Sequence, residues 1–130
     1  IMVLIADDSA VARNQIKRAL DSVNIQTALA KDGQEALQWL QNKAAEAGKN
    51  FLNEVPLLIS DIEMPRMDGY TLAAAIKADP ALRGIHIILH SSLSGVFNEA
   101  MVKKVGADQF IAKFHPDELV SAVQQWMATA

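Results

Sequence analysis

The chain contains no cysteine, which excludes disulfide cross-links, thiolate metal sites and a cysteine nucleophile. It has no apolar stretch approaching the ~20 residues of a membrane-spanning helix, so no membrane insertion is expected. The opening run Ile1 to Ala6 is too short, and too soon followed by Asp7 and Asp8, to be a signal peptide, and a cytoplasmic location is expected. Charge of one sign is not concentrated anywhere: 12 basic and 15 acidic residues leave a formal net charge of -3, scattered along the chain. That balance gives no reason to expect nucleic acid or an anionic membrane surface as a partner. Internal repeats and low-complexity segments are absent as well. With 130 residues, of which 51% are hydrophobic, the sequence suits one domain over 1–130 with one core. It opens on Ile1 rather than methionine, and excision from a longer protein is expected.

Four short apolar runs end in polar residues of a particular kind. Val3-Leu4-Ile5-Ala6 stops at Asp7-Asp8, Leu57-Leu58-Ile59-Ser60 at Asp61, Ile87-Ile88-Leu89 at His90-Ser91, and Phe110-Ile111-Ala112 at Lys113. In an open α/β sheet the region outside the carboxyl ends of the strands is where ligands bind, so residues far apart in sequence converge there.

The order of elements fits such a sheet. A strand over about 2–6 is followed by Ala12, Ile16, Ala19, Leu20 and Val23 at helical spacing. Ile25 to Ala30 reads as a second strand. Asp32-Gly33-Gln34-Glu35 is a capping box for a helix burying Ala36, Leu37, Leu40 and Ala44, which Gly48 stops. Lys49 to Val55 is read as polar and irregular, with a third strand at about 57–60. Asp68 caps a helix carrying Leu72, Ala73 and Ile76 that ends before Asp79-Pro80. A fourth strand is expected at Ile85 to Leu89. Phe97, Met101 and Val105 then mark a short helix face ended by Gly106. A fifth strand, Gln109 to Ala112, precedes a helix with Pro116 in its first turn, Asp117 and Glu118 at its positive end, and Leu119, Val120, Val123 and Met127 inward. Five β-then-α units with near-continuous apolar strands predict a flavodoxin-like, doubly wound α/β fold: a five-stranded parallel sheet of order 2-1-3-4-5 with helices on both faces.

Taken singly, each polar residue has an ordinary structural explanation. Acids after a strand cap helices, a lone lysine is a solvated lysine, and a serine at a strand end is a turn hydroxyl. Asp7, Asp8 and Asp61 together are different, because they end strands one and three, which flank the switch point. Like charges held close repel unless a cation intervenes. An oxygen-only set that is small and open to solvent suits Mg2+ better than a calcium cage. Asp61 would then be ligand and nucleophile at once, forming an aspartyl phosphate. Lys113 can pair with that carboxylate and then with a phosphoryl oxygen, and Ser91 can donate to another. Strand alternation sends His90 to the side opposite Ser91, as a packed histidine rather than a ligand.

Ile5-Ala6-Asp7-Asp8-Ser9, the stretch Ser60-Asp61-Ile62-Glu63-Met64-Pro65-Arg66-Met67-Asp68-Gly69, Ser91, residues 103–108 and Lys113 together resemble a response-regulator receiver domain over essentially the full length. The resemblance implies that Asp61 is the phosphoacceptor, that Asp7, Asp8 and the backbone carbonyl of Glu63 hold Mg2+ with it, and that Ser91 and Lys113 contact the phosphoryl group. Residues 88–95 and Lys113-Phe114 are most similar to the receiver of CheV-type chemotaxis coupling proteins, in which a CheW-like domain comes first. That implies a chemotaxis-type histidine kinase as phosphodonor, a role in a chemoreceptor-kinase coupling complex, and a signalling domain rather than a conventional enzyme. Phosphorylation would shift Ser91 and the face built from the following helix, strand five and the last helix. Two residues depart from the family pattern. Phe110 stands where many receivers have a switch tyrosine, and without a hydroxyl it can stay buried in either state. Phe114 replaces a proline that follows the lysine in a cis bond, so Lys113-Phe114 is expected to be trans.

Two other readings compete: a phosphohydrolase resembling the haloacid dehalogenases, whose Asp-x-Asp pattern this chain lacks, and a receiver-fold interaction module that is not phosphorylated. Within the receiver reading, the residues two positions beyond the acceptor and the hydroxyl, Glu63 and Leu93, are placed to tune phosphoryl lifetime by controlling the in-line water. Leu93 offers no group to hold that water. Slow loss is therefore expected, and Leu93→Ala should speed dephosphorylation at constant Mg2+ while leaving initial uptake similar; an unchanged or slower decay would refute the shielding role.

Overall fold

The computed structural model describes residues 1–91, 98–112 and 115–129. Leu93, Lys113, Phe114 and Phe97 lie outside them, as do the expectations attached to those residues. Five strands form one parallel sheet: β1 (Met2–Ala6), β2 (Gln26–Ala30), β3 (Leu57–Asp61), β4 (His86–Ser91) and β5 (Gln109–Ala112), in the order β2-β1-β3-β4-β5. This is the predicted flavodoxin-like arrangement. The helices are α1 (Ala10–Asp21), α2 (Gly33–Ala47), α3 (Phe51–Glu54), α4 (Gly69–Ala78), α5 (Glu99–Lys104) and α6 (Pro116–Thr129). None of those described is long and apolar enough to cross a membrane.

Both faces of the sheet are covered because the strands are apolar on both. Val3, Ile5, Leu57, Ile59, Ile88 and Ile111 pack against Ile16 and Leu20 of α1 and Leu119 and Val123 of α6. Leu4, Leu58, Ile87 and Leu89 point the other way, toward Ala36 and Leu40 of α2 and Leu72 and Ile76 of α4. Alternate strand residues point to opposite faces, so two cores share one sheet.

The helix starts are built as their sequences predict. Ser9 Oγ accepts the Ala12 N–H, Asp32 Oδ1 the Glu35 N–H and Asp68 Oδ1 the Thr71 N–H, each satisfying a first-turn donor. Glu35 returns the favour by accepting the Lys31 N–H, one residue before the cap that a capping box would use. Gly48, at φ 56°, ends α2 as expected.

The stretch 49–55 corrects the sequence reading. Instead of irregular chain it forms a 3-10 turn over Gly48–Asn50 and then α3. Phe51 and Val55, four residues apart, both enter the core, and burying the phenyl ring outweighs the polar character of the surrounding residues. In α5 the expected inward face is displaced: Val102 is buried while Met101 and Val105 are half-buried, since Asn98 caps the helix and sets its phase. β4 runs two residues beyond its expected end, so His90 and Ser91 lie inside the sheet.

The turn between β3 and α4 is pressed onto the rest of the fold at two glycines. A Cβ at Gly69 would fall on the carbonyl oxygen of Asp61, and one at Gly33 on that of Met67. Gly69 N–H donates to the Ile62 carbonyl at 2.7 Å, and Gly33 N–H to Met67 at 3.1 Å. Neither site has room for a side chain. Gly69→Ala should therefore lower stability by about 1–3 kcal/mol, the usual cost of overpacking; a urea midpoint equal to wild type would contradict the close approach.

Candidate functional site

The carboxyl ends of β1, β3 and β4 meet at the switch point, and the ladders define which side chains stand together. Ala6 pairs with Ser60 and Asp61 with His90. Asp7, one step beyond the Ala6 pair, keeps the ladder going by donating its N–H to the Ala30 carbonyl at 3.1 Å. Asp7, Asp61 and His90 thus form one row across three neighbouring strands. By alternation with Ile5, Ile59 and Ile88 they face the α1/α6 side.

Asp7, Asp8 and Asp61 each offer a carboxylate oxygen, and these oxygens lie within 4.8 Å of one another. Asp7 is 0% and Asp61 3% exposed, whereas Asp8 faces solvent. Such a group fits a small divalent cation on chemical grounds: hard oxygen donors, few of them, with one open side for water or phosphate.

The two buried acids are fixed in orientation. Asp61 Oδ1 accepts the Ile62 N–H at 2.8 Å. Asp7 Oδ1 accepts the Ser9 N–H at 2.9 Å, and its backbone carbonyl accepts a 2.6 Å bond from Arg13 Nη1. Arg13 sits in the first turn and a half of α1, so the helix clamps the loop that presents both acids. The sequence reading passed over Arg13, and nothing in a lone arginine at that place would have marked it.

Ser91 closes β4, buried, and pairs with Ala112, the residue before Lys113. Lys113 and Leu93 lie outside the described residues. Glu63 is exposed in the turn after Asp61, beside an open cavity of about 340 Å³ lined by Ile62, Glu63, Met64, Asp68 and Tyr70. Phe110 on β5 is only half-buried, packed against the α2/α4 core. His90 is a packed residue at 1% exposure, as alternation requires, but its Nε2 lies 3.4 Å from Asp7 Oδ2. Alternation predicted its side of the strand and missed its reach.

The model of the response regulator receiver domain matches residues 3–124. The chain belongs to the response-regulator receiver family. The receiver is similar to chemotaxis protein CheV3 of Helicobacter pylori, 29% identical over 95% of this chain and 40% of that protein. Protein PilG of Pseudomonas aeruginosa is 34% identical, over 95% of this chain and 85% of PilG. Among solved structures, the signal receiver domain of a signal transduction histidine kinase from Syntrophus aciditrophicus superposes with a TM-score of 0.82, at 32% identity, over 99% of this chain and 91% of that one. The receiver spans about two fifths of CheV3, so it corresponds to one part of that longer relative. Receivers are signalling domains of two-component systems, in which phosphoacceptance at an acidic pocket is general.

Packing three carboxylates together costs stability that a cation restores. Asp8→Asn should raise the melting temperature in metal-free buffer and abolish the further rise that Mg2+ gives the wild type, about 2.7 kcal/mol at a hundredfold excess over Kd. A variant that still gains as much from Mg2+ would place the cation elsewhere.

Proposed function

We propose that the receiver accepts a phosphoryl group on Asp61, with Mg2+ held by Asp7, Asp8, Asp61 and the Glu63 carbonyl, from a histidine kinase of the chemotaxis type. The observation that carries this reading is the acidic cluster itself: Asp61 ends β3 at the switch point, buried and rotationally fixed, with two further carboxylates against it. Its carboxylate attacks the phosphorus of a phosphohistidine, the P–N bond breaks, and the imidazole leaves with the bonding pair. Mg2+ supplies charge neutralisation for the phosphoryl oxygens. Ser91, at the end of the neighbouring strand, donates to one of those oxygens, and Lys113 pairs with another. Most of the acceleration comes from positioning and charge neutralisation.

The output runs through the segment that starts at Ser91. Asn98 caps α5 and its N–H donates to the Tyr70 hydroxyl at 2.8 Å, tying the far end of that segment to α4. Gly69, next to Tyr70, rests on the Asp61 carbonyl, so the residue that Asn98 meets is itself next to the acceptor strand. A shift at Ser91 can therefore bias the face formed by α5, β5 and α6, with Phe110 following by packing rather than by a hydroxyl. Similarity to CheV3 supports coupling of chemoreceptors to their kinase as the setting, through a CheW-like domain in the full protein, in the cytoplasm.

Treatment with Mg2+ and a small phosphodonor such as acetyl phosphate should add one phosphoryl mass to wild type and none to Asp61→Asn. Equal uptake by the variant would sink the assignment, and multiple turnover on phosphate esters would indicate a hydrolase instead. Faster transfer from a chemotaxis kinase than from an unrelated histidine kinase should identify the donor class; equal transfer would remove the chemotaxis assignment.

A further inference from the structure

Asp8 is the member of the acidic cluster with least to hold it. Asp7 and Asp61 are buried, whereas Asp8 faces solvent, and among the described residues its side chain makes no hydrogen bond or ion pair. Repulsion from the two acids behind it would turn that carboxylate outward, yet one of its oxygens lies within 4.8 Å of theirs. What aims it is the main chain, so the peptide units on either side of Asp8 decide where its oxygens go.

A peptide unit is planar, so fixing its carbonyl oxygen fixes the whole unit. The unit joining Asp7 to Asp8 is fixed by Arg13, whose Nη1 donates to the Asp7 carbonyl at 2.6 Å, short even for a charged donor. The unit joining Asp8 to Ser9 is fixed by the Ser9 N–H, which donates to Asp7 Oδ1 at 2.9 Å. With both planes held, φ and ψ of Asp8 follow. Arg13 is itself referenced to the helix: its N–H donates to the Ser9 carbonyl at 2.9 Å, its side chain is half-buried, and Ile16 and Leu20 further along α1 are buried against the sheet. Without the guanidinium, the unit between Asp7 and Asp8 can rotate as a crankshaft, ψ of Asp7 against φ of Asp8, while β1 and α1 stay where they are.

We propose that Arg13 is a positioning residue for Mg2+ binding: its guanidinium holds the peptide between Asp7 and Asp8 so that the exposed Asp8 carboxylate stays turned toward Asp61. This rests on the reading of Asp7, Asp8 and Asp61 as the cation site. A cationic side chain near such a site also has an opposite effect, because its charge repels a metal ion. The two effects differ in sign. Loss of the charge alone tightens Mg2+ binding, whereas loss of a group that orients a metal ligand weakens it, typically about 10–100-fold. On the Asp8 side the site is open to water, where salt screens the repulsion, so the loss of the bond prevails.

The test is calorimetric titration of the unphosphorylated chain with Mg2+ alone at physiological ionic strength, which needs no phosphoryl transfer. Arg13→Met, which keeps most of the stem and removes the donor, should weaken Mg2+ binding about tenfold. Lys17→Met removes a cation one turn further along α1, from its exposed pair with Asp21, and should leave affinity within about twofold of wild type. In metal-free buffer the Ser9 amide should exchange faster in Arg13→Met, while the Ile16 and Leu20 amides stay within about twofold of wild type. Should the methionine variant fail to fold, Arg13→Gln takes its place: its amide stops short of the Asp7 carbonyl, and it should lose affinity equally. A loss below about threefold in the variant used, or a gain, overturns the proposal. So does an equal loss in Lys17→Met, or exchange that rises evenly along α1, either of which would make Arg13 a helix-packing residue only. A wild-type chain that takes up no Mg2+ overturns the cation reading and the positioning role with it, whereas wild-type binding that survives Arg13→Met removes the positioning role alone.

Discussion

Three like charges held within 4.8 Å of one another are the constraint around which the rest of the molecule is arranged. Left in water, carboxylates at that separation would drift apart. Here two of them are buried and their backbones are locked in a parallel ladder, so they cannot. Such a cluster favours a cation, and in the proposed function that cation would let a phosphoryl group approach the anionic Asp61.

Holding the acids there takes contributions from every layer. The sheet sets the row, because a parallel register puts the last residues of adjacent strands side by side. Ser9 and Arg13 hold Asp7 from the start of α1, which Ser9 also caps. The turn after Asp61 is pressed down at Gly69 and Gly33, where any side chain would lift it. Behind the site, Val3, Ile5, Leu57, Ile59 and Ile88 fill the α1/α6 core and give the charged row a rigid base. The polar edge of the sheet and its apolar centre are the same strands read at different positions.

The same arrangement makes signalling possible. Ser91 ends β4 inside the fold, and Asn98 caps α5 and donates its N–H to the Tyr70 hydroxyl. In the proposed function, a small displacement at Ser91 biases the face formed by α5, β5 and α6. Phe110 packs against the α2/α4 core and is half-exposed, so it can follow such a change without breaking a hydrogen bond of its own side chain.

Most of the fold, and the acidic cluster from which Asp61 is proposed as acceptor, were legible in the sequence alone. Apolar runs of strand length, caps at Ser9, Asp32 and Asp68, and glycine at Gly48 are local signals, and local chemistry decides them. The acids after β1 and β3 were legible too, since strand order places their ends together. What escaped was nonlocal. Phe51 and Val55 form a helical turn because the core built from α2, β3 and α4 has space for them, and no pattern within 49–55 announces that space. Arg13 and His90 became part of the site only when α1 crossed the loop and β4 lay two strands from Asp7. Alternation along β4 could assign His90 a side, but the distance from its ring to Asp7 depends on strand spacing, register and the helices packed behind it. The sequence thus determined which residues could do the chemistry, and tertiary packing alone decided which others hold them in place, because a side chain's reach is a property of the assembled sheet.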